Sequence, residues 1–102
     1  MKEVEIIGLQ EDALKVALSG EIDASGADGF FSSVAAAYDK TPADIAFDCE
    51  KLEFIDSTTL GTFVKILKKV KTDGHKLSLF GLQPKIKKLF LICALDKIME
   101  IA

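Results

Sequence analysis

Residues 54–63 read FIDSTTLGTF, and the reading of this stretch decides the fold. Phe54 and Ile55 end an apolar, strand-like run. Leu60 and Phe63 begin an apolar stripe at helical spacing, and Asp56, Ser57, Thr58 and Thr59 stand between the two. A strand that passes directly into a helix is half of a β-α-β crossover. The first turn of such a helix carries N–H groups with no partner of their own, so Asp56 or Ser57 is the expected cap. One cap accounts for one polar residue. Thr58 and Thr59 are mediocre helix formers, and capping does not explain why four polar side chains cluster here. A helix N-terminus also favours negative charge through its free N–H groups and its dipole, so a phosphoryl group on Ser57 would fit there.

Working outward, Leu60, Phe63, Val64, Leu67 and Val70 predict a helix over residues 57–72 with those side chains buried. Lys68, Lys69 and Lys71 suit its C-terminal dipole, and Asp73-Gly74 supplies the stop. Upstream, ADIAFDC (residues 43–49) alternates with Ile45, Phe47 and Cys49 on one face, a strand pattern. Before it, Phe31, Val34, Ala35 and Tyr38 mark a helix within residues 25–40, ended by Thr41-Pro42. EVEII and DALKVALSG, joined by the turn-like GLQED, suggest an initial hairpin with Leu14, Val16 and Leu18 facing one way. Downstream come a strand at KLSLF and a helix starting at Pro84 with Ile86, Leu89, Phe90 and Cys93 on its stripe. A short strand at IMEI follows. The order β-β-α-β-α-β-α-β implies an α/β fold: a mixed, mostly parallel sheet of four or five strands with covering helices.

The 102 residues, 49% hydrophobic and 28% charged, suit one compact domain. The longest notable apolar run, residues 89–95, is far short of the ~18–20 residues needed to cross a bilayer, so no membrane is expected as partner. The N-terminal residues alternate charge with apolar side chains and lack a secretory pattern, which points to a cytoplasmic protein. Cys49 and Cys93 belong to no CxxC or Cys/His cluster and read as buried, reduced thiols. A net charge of −3 argues against nucleic acid as a partner, and the lysines at 65, 68, 69, 71 and at 85, 87, 88 read as solubilising faces.

Signatures of catalysis are missing. The sole histidine, His75, lies in the turn TDGHK, where exposure is expected and a Ser-His-Asp triad is hard to assemble. Neither GxxxxGK[ST] nor GxGxxG occurs. Asp23, Asp48, Glu53 and Asp56 flank apparent strand ends, but without a spacing such as that of an EF-hand loop they read as solvated loop acids. No metal site, no cofactor and no enzyme activity are expected.

Three segments in order, LSGEIDASGAD (18–28), FDCEKLEFIDSTTLGTF (47–63) and GHKLSLFGLQPKIKKLF (74–90), resemble the STAS domain, and within it the bacterial anti-sigma factor antagonists. The resemblance implies one STAS domain over residues 1–102. The family's central motif usually reads Asp-Ser-Ser-Gly-Leu-Gly, and its first Ser is phosphorylated by a partner kinase that is also the anti-sigma factor. That Ser corresponds to Ser57, Asp56, Leu60 and Gly61 match as well, and Asp23 matches an acidic residue near the phosphorylation site. Thr58 and Thr59 depart from the motif, Thr59 standing where the family prefers Gly, and both stand as alternative acceptors. The resemblance implies partner switching: the unmodified chain binds an anti-sigma factor serine kinase, phosphorylation at Ser57 releases it, and a serine phosphatase resets it. The expected partner surface comprises Asp23, Asp56, Thr58, Thr59, Thr62 and Lys65. The family also implies an alternative role, as a scaffold or accessory subunit of a signalling assembly or a transporter.

Overall fold

The computed structural model describes residues 1–102. Its elements are β1 (Val4–Gln10), β2 (Ala13–Ile22), α1 (Ala24–Lys40), β3 (Asp44–Ile55), α2 (Ser57–Thr72), β4 (Leu77–Phe80), α3 (Pro84–Ile92) and β5 (Glu100–Ile101), with a 3-10 turn at Leu95–Lys97. The five strands lie side by side in sequence order, β1 antiparallel to β2 and the remaining pairs parallel. Each crossover therefore steps to the next strand in the same direction. Crossovers of this kind are right-handed almost without exception, so all the helices fall on one face of the sheet. The rings bear this out: Phe63 of α2 stands edge-on to Phe30 of α1 at 5.1 Å, to Phe47 of β3 at 5.2 Å and to Phe90 of α3 at 5.3 Å.

Beneath the helices lie Leu14, Val16, Leu18, Ile45, Phe47, Leu77 and Leu79, all buried. The other face carries Lys15, Ala17, Ala46, Asp48 and Ser78, half-buried with no helix over them. Parallel strands covered on both sides read as continuous apolar runs; here one open face keeps the alternation visible in the sequence.

Several local expectations shift. The hairpin turn is not GLQED but Glu11-Asp12 alone, both residues at positive φ (52° and 66°). Glu-Asp is not a usual pair for such a turn, which favours Asn-Gly, so nothing in the residues announced it. On α1 the buried stripe is Ala27, Phe30, Val34 and Tyr38, with Phe31 and Ala35 half-buried at its edge. On α2 the buried set is Thr59, Thr62, Phe63, Ile66, Leu67 and Val70, while Leu60 and Val64 are only half-buried. The stripe runs at i, i+3, i+4, i+7, i+8 and i+11, but threonines fill its first positions, which turns an apolar-only reading toward Leu60 and Val64. Thr62 is tolerated there because its hydroxyl donates to the Thr58 carbonyl at 3.1 Å.

β3 runs past Cys49 to Ile55, and two bulges against β2 each insert an extra β3 residue. The inward positions consequently run Cys49, Leu52, Ile55, at a spacing of three, and Phe54 is left facing solvent. His75, expected in solvent, is half-buried, its ring edge-on to Tyr38 at 5.8 Å. Tyr38 in turn donates its hydroxyl to Asp73 at 2.7 Å, fastening the end of α1 to the end of α2; burial first, then that hydrogen bond, pushes the phenol up to about 12. Lys69 and Asp39 pair across the same helices at 3.0 Å.

The cysteines correct the expectation of two buried thiols. Cys49 is buried, and that burial, with Asp48 nearby, pushes its thiol up to about 12. Cys93 is exposed, α3 ending at Ile92 with Cys93 as its C-cap; Leu89, inside α3, is exposed too, at the edge of the face that Ile86 and Phe90 bury. A thiol reagent such as iodoacetamide should therefore modify Cys93 alone in the native chain and both cysteines in urea, since a buried neutral thiol is inert. Native labelling of both at similar rates, read by mass spectrometry, would contradict this core.

Candidate functional site

The corner where β2 and β3 hand over to α1 and α2 gathers much of the polar set singled out in the sequence. Parallel crossovers bring strand C-terminal ends and helix N-termini to one edge of a sheet, which is where Asp23 and Asp56 stand. Each is an extended residue that caps the helix after it, with φ −119° at Asp23 and −108° at Asp56. Asp23 Oδ1 accepts from the Ser25 N–H at 3.0 Å and from the Ser25 hydroxyl at 2.6 Å.

Asp56 serves both helices. Its Oδ1 accepts from the Thr59 N–H at 2.9 Å, the capping bond of α2, while its Oδ2 accepts from the Ala24 N–H, the first residue of α1, at 2.8 Å. These donors favour the charged form. The Thr59 N–H foremost, then the Thr59 hydroxyl and the Ala24 N–H, outweigh partial burial and hold the Asp56 carboxyl below the usual range. An ionised carboxylate is thus fixed beside Ser57 at neutral pH, and the Ala24–Asp56 bond joins the neighbours of Asp23 and Ser57.

Ser57 is exposed at the first position of α2. Its hydroxyl has no part in the hydrogen bonds around it. Because Asp56 occupies the Thr59 N–H with its side chain and the Leu60 N–H with its carbonyl, at 3.0 Å, the N–H groups of Ser57 and Thr58 remain as the unpaired donors of the first turn. Thr58 is exposed beside it.

Thr59 and Thr62, expected on the contact surface, lie beneath it instead, 0% and 4% exposed. Thr59 is also ruled out as an alternative phosphate acceptor in the folded chain, since its hydroxyl is buried against the Ile22 carbonyl at 2.7 Å and Asp56 Oδ1 at 2.9 Å. Lys65 is exposed two turns along α2, its Nζ 4.6 Å over the half-buried ring of Phe31. Gly61, matched to the family motif but given no role by the sequence, is exposed, and a Cβ there would meet nothing within 4 Å. The fold has no packing reason for a glycine, although one inside a helix costs roughly 0.5–1 kcal/mol relative to Ala. Its effect is a patch of bare helix one turn beyond Ser57.

Asp48 and Glu53 do not join this corner. They lie along β3, and nowhere do three His, Cys, Asp or Glu side chains form a group that could hold a metal ion. No helix is long and apolar enough to cross a membrane.

Comparison with known proteins agrees with the geometry. The STAS domain model matches residues 6–102. An anti-sigma-B factor antagonist of Listeria monocytogenes is 32% identical over 98 residues, covering 96% of this chain and 86% of that protein. An anti-sigma factor antagonist from Mycobacterium paratuberculosis has the same fold, with a TM-score of 0.81 at 21% identity over 96% of this chain and 80% of that one. So does the Bacillus cell fate determinant SpoIIAA in its phosphorylated form, with a TM-score of 0.75 at 19% identity over 97% and 90% of the two chains. With an exposed serine opening α2 behind its Asp56 cap, and with the family model and the Listeria relative each spanning nearly its whole length, the chain belongs to the STAS domain family, among the anti-sigma factor antagonists.

Proposed function

We propose that this chain works by partner switching: unphosphorylated, it binds an anti-sigma factor serine kinase and so frees a sigma factor; phosphorylated at Ser57, it is released, and a serine phosphatase restores it. The chain is the substrate in this cycle and performs no catalysis itself. The observation that carries the reading is Ser57, exposed with an uncommitted hydroxyl at the start of α2, one residue from an ionised carboxylate. The phosphorylated form of SpoIIAA, a protein of the same fold, supports it.

The contact surface is the loop around Asp23, the Asp56-Ser57 turn with Thr58, and the exposed side of α2 through Gly61 and Lys65. Thr59 and Thr62 support it from below. Phosphorylation adds about −1.5 to −2 charges beside the carboxylates of Asp56 and Asp23, making an acidic corner strongly so.

Gly61 supplies a test in which binding and folding move in opposite directions. Gly61→Ala should stabilise the chain by roughly 0.5–1 kcal/mol in urea unfolding, because helical propensity rises and nothing is crowded. The same methyl group should weaken binding of the anti-sigma kinase about tenfold in calorimetric titration, a loss of about 1.4 kcal/mol. Unchanged affinity would remove this face of α2 from the interface. No binding by the unmodified chain to any protein kinase of its own cell would overturn the functional reading itself.

A further inference from the structure

Thr59 is wholly buried, yet it stands in the first turn of a helix whose neighbouring positions, Ser57 and Thr58, are exposed. Its hydroxyl lies 2.7 Å from the Ile22 carbonyl, 37 residues away at the end of β2, and 2.9 Å from Asp56 Oδ1. The other oxygen of Asp56 holds the Ala24 N–H at 2.8 Å. Three segments thus meet on one threonine and one carboxylate: the end of β2, the start of α1 and the start of α2. Asp23 is the residue between the Ile22 carbonyl and the Ala24 N–H, so both of its neighbours are tied to α2. Capping α2 requires only the Asp56–Thr59 backbone bond; the link to Ile22 adds nothing to the cap and fixes the loop instead.

We propose that Thr59 is a positioning residue for the switch, its buried hydroxyl locking the Asp23 loop to the start of α2 so that Asp23 and Ser57 meet the partner as one rigid surface. A surface held in its bound shape pays less ordering entropy on association, and the lock therefore appears in affinity. This second part rests on the partner-switching reading; the lock itself does not.

The test separates the two. Thr59→Val keeps the shape of the side chain and removes the hydroxyl; Thr59→Ser restores the hydroxyl. In the free chain, Thr59→Val should speed hydrogen exchange of the Ala24 amide about tenfold, as local opening becomes easier, while the amide of Phe47 in the core changes far less. The Asp56 carboxyl, deprived of a donor, should titrate at a higher pH by NMR. Thr59→Ser should return both signals to within about threefold and to near the original midpoint respectively. Should Thr59→Val fail to fold, Thr59→Ala carries the same measurements. Ala24 exchange and Asp56 titration unaffected by loss of the hydroxyl would overturn the lock, whatever the partner. In the unphosphorylated state, affinity for the anti-sigma kinase should fall about tenfold in Thr59→Val and recover in Thr59→Ser. A loosened loop with unchanged affinity would overturn the positioning role, and absence of binding by the parent chain would instead count against the partner-switching reading, leaving the lock decided by the free-chain data.

Discussion

Incubated with its anti-sigma kinase and ATP, the chain is expected to gain one phosphate at Ser57, a mass increase of about 80 Da, and to lose roughly tenfold to ten-thousandfold in affinity for that kinase. Ser57→Ala should abolish the mass increase. The range follows from Coulomb's law. At about 6 Å from one acidic group of the partner, each unit of added charge costs ~0.7 kcal/mol at a water-like dielectric and ~2.8 kcal/mol at an effective value of 20. A phosphate approaching two charges doubles either figure, and raising the salt concentration should move the result toward the lower end. Folding is expected to change little. The phosphate lies beside the unpaired N–H groups of Ser57 and Thr58, and the helix start offsets by ~0.3–1 kcal/mol part of the repulsion from Asp56. The two effects together identify a switch of surface rather than of fold. Equal binding of both forms would refute the switching mechanism. Phosphate found on Thr58 with Ser57 untouched would move the acceptor by one residue and keep the mechanism. Ser57→Asp should reproduce the loss only in part, since it brings one charge on a shorter side chain.

Phe63→Ala is expected to cost about 3–5 kcal/mol of folding stability, as the removal of a large side chain from a rigid core does. Phe63 is completely buried, and its ring is the one that meets α1, β3 and α3 together through Phe30, Phe47 and Phe90. Each aromatic pair is worth roughly 0.5–1.5 kcal/mol beyond its buried area, and the cavity would lie where three helices share one sheet face, with no second core to compensate. Against a total of about 5–15 kcal/mol for a domain, that is roughly a fifth of the stability or more. With a urea dependence near 1.3 kcal/mol per M, the unfolding midpoint should drop by about 2–4 M or the folded baseline should vanish. Phe63→Leu, which keeps much of the volume, should cost far less. A loss below about 1 kcal/mol for Phe63→Ala would be irreconcilable with this packing.

The sequence by itself determined the order of elements, the bounds of α2 at residues 57 and 72, and the corner at which Asp56 and Ser57 stand. These follow from local rules: period two where one sheet face is open, a period near 3.6 on the helices, and polar residues where N–H groups lack partners. It did not reveal the length of β3, because two bulges replace alternation with the spacing Cys49, Leu52, Ile55, and bulges arise from pairing with β2. It placed Leu89 and Cys93 in the core, whereas α3 buries only Ile86 and Phe90: Leu89 stands at the edge of that stripe, and Cys93 lies past the helix end at Ile92. The sharpest case is Thr59. Polarity put its hydroxyl on the surface with those of Ser57 and Thr58, whereas burial requires only that a hydroxyl find partners, and its partner is a carbonyl 37 residues away. Local chemistry limits where a polar group can lie, but a contact between distant segments exists only once the sheet has brought Ile22 and Asp56 to the same corner, and so the packing of those segments settled which threonine is exposed, Thr58, and which is buried at the corner, Thr59.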